Sequence, residues 1–76
     1  MNYASITNIT LDAINEYIRD SRNPSLDKRY RDNTMVEASG AYSLYLMLCM
    51  NDDMDIDEAT FDHDSALMRG LIAQGV

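Results

Sequence analysis

One cysteine, one histidine, one proline, three glycines and no tryptophan in 76 residues exclude several architectures and chemistries at once. With Cys49 alone, no disulfide closes within the chain. A domain this short buries only about 60% of the surface its unfolded form exposes, so it folds without a covalent staple and gains from a partner subunit. A lone thiol inside an apolar run suits a reducing compartment, and a cytoplasmic location is expected. His63, flanked by Asp62 and Asp64, has no companion nitrogen or sulfur ligands for zinc and no serine arrangement to serve as a base. Gly40, Gly70 and Gly75 are too scattered to form a phosphate-cradling loop. The chain therefore reads as a non-enzyme, with no cofactor and no metal.

Membrane signals are equally scarce. Met1 to Thr10 lacks the positive and apolar segments of a secretory signal, and none is expected. The longest apolar run, Ala41 to Met50, is interrupted by Ser43 and reaches about half the ~20 residues that a span requires.

What the sequence does have is acid, unevenly placed. Thirteen acidic against six basic side chains give a net charge of −7. Up to residue 34 the signs balance, with Asp12, Glu16, Asp20, Asp27 and Asp32 against Arg19, Arg22, Lys28, Arg29 and Arg31. Beyond it, eight acids face only Arg69. Such a half repels phosphates and favours a protein partner with a basic surface, and it argues against direct nucleic-acid binding there.

Apolar periodicity predicts an all-α fold, a small bundle of about four short helices around a central apolar one, with residues 1–76 as a single acidic domain. Leu11, Ile14, Tyr17 and Ile18 mark a helix over 11–21 with Thr10 as its N-cap, stopped by Asn23-Pro24. A second, short helix over about 25–32 places Leu26 and Tyr30 one turn apart. Thr34-Met35-Val36-Glu37 has the pattern of a capping box and predicts a third helix over about 35–50. That helix is apolar almost all round and must be covered on most sides, as the centre of the domain or as half of a dimer seam. Gly40 within it permits close backbone approach. A last helix over about 65–74 carries Leu67, Met68, Leu71 and Ile72. A break near 62–64 is expected, because Asp64 and Asp57 would otherwise fall within the apolar stripe as unpaired carboxylates. Asp64 then caps the helix, and a separate turn from Asp55 buries Ile56 and Phe61.

Asp52, Asp53, Asp55, Asp57, Glu58, Asp62 and Asp64 form the most informative cluster. Asp53, Asp55, Asp57 and Asp64 stand at EF-hand spacing, but Glu58 occupies the position that requires glycine, and Asp64 is shorter than the bidentate glutamate, so the calcium pattern fails. The cluster serves as a soluble, self-repelling connector or as a surface of carboxylates that engages Lys and Arg side chains otherwise neutralising phosphate. Arg22, Lys28, Arg29 and Arg31, with Tyr42 and Tyr45 on the apolar helix, are candidates for self-association. A phenol in such surroundings needs a hydroxyl partner, often found at an interface.

In size and charge alone the chain resembles the small antagonists encoded by phages and mobile elements, and that likeness implies action in the cytoplasm of a host cell. The expected function is inhibitory or modulatory binding to a nucleic-acid-handling protein through a nucleic-acid-mimicking carboxylate surface. Two alternatives stand beside it. One is a homodimeric helical DNA-binding or transcription-regulating module using the arginines. The other is a structural or assembly subunit, a homo-oligomer whose apolar helix completes its core against another chain.

Overall fold

The structure, a computed structural model, describes residues 2–51 and 56–75. They form three α-helices: α1 (Tyr3–Ser21), α2 (Lys28–Asn51) and α3 (Glu58–Gly75). The all-α class is as the periodicity implies. The count is three rather than four, and each difference has a local cause.

The first helix begins at Tyr3 instead of near Leu11. Asn2 is extended, and its side-chain carbonyl accepts from the Ser5 amide at 2.8 Å, satisfying an orphan donor of the first turn. Thr10, expected as the cap, lies inside the helix and turns its hydroxyl back to the Ile6 carbonyl at 2.7 Å. The extra turns are held by burial of Ile6 and Thr7 on the stripe that continues through Ile14 and Ile18.

The second and third helices of the sequence reading are one. Thr34 does not cap a new helix; its hydroxyl donates to the Arg31 carbonyl at 2.7 Å within an unbroken helix, and its side chain is buried. Neither glycine nor proline interrupts residues 28–39, so nothing there competes with propagation. The start of α2 falls after the turn instead. Asn23 accepts from both the amide and the hydroxyl of Ser25, at 3.0 and 2.7 Å, and Leu26 N–H closes the turn on the Asn23 carbonyl at 3.1 Å. Pro24 supplies the fixed φ that such a turn uses.

No break occurs at 62–64. Asp57 caps α3, accepting from the amide of Thr60 at 3.1 Å and from its hydroxyl at 2.8 Å. Asp64 sits mid-helix and is tolerated there because the Tyr3 hydroxyl donates to it at 2.6 Å. Phe61, expected in a separate turn, is half-buried on α3 itself.

The helices run up, down and up. Tyr45, late in α2, meets Thr7 and Tyr3 at the start of α1, while Arg22 at the end of α1 reaches Gln74 near the end of α3. α1 packs more extensively on α2 than on α3. The core is small: Ile6, Ile14, Ile18, Ala38, Tyr45 and Met68 are its buried hydrophobic members. Each large side chain among them contributes roughly 1.5–3 kcal/mol through burial, against about 1–2 kcal/mol of backbone entropy for every ordered residue.

Candidate interaction surfaces

Three features of the surface and core bear on function: a polar chain through the core, a segregation of charge along the bundle, and an apolar groove on α1 and α2.

The polar chain runs across all three helices. Thr7 Oγ1 lies 3.0 Å from Tyr45 Oη, Tyr45 donates to Tyr3 Oη at 2.9 Å, and Tyr3 donates to Asp64 Oδ2 at 2.6 Å. The short last bond is charge-assisted. The rings pack as well: Tyr3 meets Tyr45 edge-on with centroids 6.3 Å apart, and Tyr45 stacks on Phe61 at 6.1 Å. Burial raises the Tyr3 phenol well above its usual value, and its bond to Asp64 pushes the same way. Burial also raises Tyr45, opposed by its hydrogen bonds with Thr7 and Tyr3, and it raises the Cys49 thiol. Neutral phenols and a protonated thiol suit a network that holds helices in register. A nucleophile would need the opposite shift. The hydroxyl partner that Tyr45 requires is thus inside its own chain, and the side chain is only 1% exposed. Tyr42 is half-buried against the same core.

Charge is distributed by topology. The up-down-up arrangement gathers the end of α1, the start of α2 and the end of α3 at one pole. Arg19, Arg22, Lys28, Arg29 and Arg31 lie there, interleaved with Asp20, Asp27 and Asp32. These cations do not share one surface. Arg22 donates to the Gln74 carbonyl at 3.0 Å, Lys28 pairs with Asp32 at 3.7 Å, and Arg31 is half-buried with its Nε enclosed and unpartnered. Arg29 is exposed. The opposite pole holds the start of α3, with Asp57, Glu58 and Asp62 exposed and Asp64 half-buried on Tyr3. Asp52, Asp53 and Asp55 lie outside the described residues. Among the described residues the ion pairs are Glu16 with Arg19 and Lys28 with Asp32, so none involves the acids of α3. Among the same residues, no three His, Cys, Asp or Glu side chains converge as metal ligands do.

The groove went unnoticed in the periodicity. Ile6, Ile9 and Ala13 of α1 and Ala41, Leu44 and Leu48 of α2 line a depression of about 210 Å³. It continues onto an outer face of α2 where Val36 is 70% and Met47 59% exposed. The signal that points to it is the nearly all-round apolar character of residues 35–50, which fits a helix at the centre of the domain and half of a dimer seam alike.

No helix among the described residues is long and apolar enough to cross a membrane. Compared with known proteins, the chain matches no family model, no characterised protein and no solved structure.

Proposed function

We propose that this chain is a non-catalytic, protein-binding module whose acidic pole engages a basic surface on another protein, one that otherwise holds nucleic acid. The observation that supports this reading most is the separation of charge. Asp57, Glu58 and Asp62 stand exposed at one pole with no cation paired to them among the described residues, while five of the six basic side chains belong to the other. Carboxylates held on a helical scaffold contact Lys and Arg without competition from their own chain, and they compete with phosphate for the same cations. Modulation or inhibition follows from occupying such a groove, in the manner of small phage-encoded antagonists acting in a host cytoplasm. Asp52, Asp53 and Asp55, adjacent in sequence, extend the same charge.

Direct binding to DNA draws less support, because Arg22, Lys28 and Arg31 are engaged or turned inward, and among the described residues Arg29 alone of the four has no partner.

The test is affinity capture from host lysate at low and high salt. The wild-type chain is compared with a variant carrying Asp57→Asn, Glu58→Gln and Asp62→Asn. Asparagine at position 57 retains the cap on α3, so the fold is kept while the charge is removed. One dominant basic partner, released by salt and lost in the variant, supports the reading. Capture that ignores both salt and the substitutions defeats it.

A further inference from the structure

The outer face of α2 carries an inference separate from the proposed function. We propose that a second copy of this chain packs antiparallel across that face, on a two-fold axis passing near Gly40, so that α1 and α2 of each copy together form a four-helix layer.

The argument begins with the face itself. At about 100° per residue, Val36, Gly40, Leu44 and Met47 fall within an arc of about 80°, opposite the arc of Ala38 and Tyr45 that faces the core. Val36, Leu44 and Met47 are all more than half exposed, and Leu44 also borders the groove against Ile9 of α1, which is 55% exposed. The apolar surface is therefore continuous over two helices, unlike the scattered exposed residues of ordinary surfaces.

The occupant is identified by the self-complementarity of this surface. A two-fold interface requires that residue i meet residue j while j meets i. Gly40 stands midway along Lys28–Asn51, and a Cβ added to it would meet nothing within 4 Å, so the centre of the face is open and flat. An antiparallel copy crossing there sets Val36 against Leu44 of the other chain, and the reverse. The same operation lays the pole of each copy that carries Arg19, Arg22, Lys28 and Arg29 beside the acidic start of α3 of the other, and a parallel arrangement would set the two acidic poles together. Antiparallel pairing is thus selected by charge while the apolar face supplies contact.

The chain as a whole exposes 5223 Å² against the ~4,700 Å² expected for a compact monomer of this mass, an excess that a second copy seated on the apolar face would reduce.

Sedimentation analysis of the full chain over a wide range of concentration tests the proposal, together with Gly40→Arg. Position 40 is exposed and open, so arginine is accommodated in the folded monomer, and circular dichroism confirms that the helices are retained. The expected result is a concentration-dependent dimer whose dissociation constant rises by more than about tenfold in the variant. Cysteine pairs then fix the direction, in a Cys49→Ala background. Val36→Cys mixed with Leu44→Cys cross-links as a heterodimer under mild oxidation, and Val36→Cys alone does not. A wild-type chain that stays monomeric at every concentration overturns the proposal and assigns the face to a different protein. A dimer indifferent to Gly40→Arg, or one in which Val36→Cys links to itself, overturns it equally.

Discussion

The two faces of α2 are built from similar residues and meet different fates. On the inner face, Thr34, Ala38 and Tyr45 are buried, and the one phenol in the centre finds hydroxyls on α1 at 2.9 and 3.0 Å. On the outer face, Val36, Leu44 and Met47 stand in solvent around a glycine with open space above it. A helix of 24 residues whose apolar stretch runs from Met35 to Met50 offers more hydrophobic surface there than two helices of 19 and 18 residues cover when both lie to one side of it. The lesson is that apolar composition fixes how much surface must be covered, and topology decides by what.

Substitutions that break the inner face should have the largest effects. Ile14→Ala removes a fully buried side chain at the α1–α2–α3 junction and is expected to cost about 2–5 kcal/mol in chemical denaturation, enough to leave so small a domain largely unfolded. Leu44→Ala, at low protein concentration, should change the same measurement by less than about 0.5 kcal/mol. Equal losses from the two would erase the distinction between the faces.

Asp64→Ala leaves the Tyr3 hydroxyl without its acceptor and should cost about 1–3 kcal/mol, whereas Asp62→Ala, two residues earlier and exposed, should be nearly silent. Asp57→Ala removes the cap on α3 at a cost of about 1 kcal/mol, recovered by Asp57→Asn.

Alkaline titration sharpens the comparison further. Tyr3 and Tyr45 hold their protons more tightly in the folded state than the unfolded phenols do, near pH 10. Their contribution is therefore fully present below about pH 10 and is lost as pH rises beyond it, because the unfolded chain releases protons that the folded one retains. Stability followed by circular dichroism should fall above that pH, and Tyr45→Phe should make the fall shallower. Cys49, also raised, should react with iodoacetamide more slowly in the folded chain than in denaturant.

One substitution is expected to give a modest gain. Gly40→Ala adds a methyl group into open space in mid-helix and should stabilise the isolated chain by about 0.5–1 kcal/mol, seen as a modest rise in melting temperature at low concentration.

Much of this fold is legible from residue pattern. The stripe Ile14, Tyr17, Ile18, the stop at Asn23-Pro24 and the apolar run through Met50 place two helices and the turn between them. The boundaries that differ are those where a polar side chain has two ways of being satisfied. Thr10 and Thr34 look like caps in sequence, but each hydroxyl bonds a carbonyl of its own helix, a choice settled by burial of the neighbouring apolar residues. Asp64 reads as a helix start because an unpaired carboxylate is costly in a stripe. Its partner, Tyr3, lies 61 residues away, and only tertiary structure brings them together. Charge separation was visible as an asymmetry of halves, yet its translation into two poles of one bundle needed the up-down-up topology. The groove had the weakest signal, since apolar surface facing solvent and apolar surface facing a core are written in the same residues.

The most direct test of the account is dilution of the ¹⁵N-labelled chain, followed by amide chemical shifts at each residue. If the outer face of α2 is the incomplete one, Ile9, Gly40, Leu44 and Met47 should shift together as concentration falls, and Ala38, Tyr45 and Met68 should stay fixed. Shifts that spread evenly through the core, or that are absent everywhere, would contradict the claim that one face of this helix is finished and the other is not.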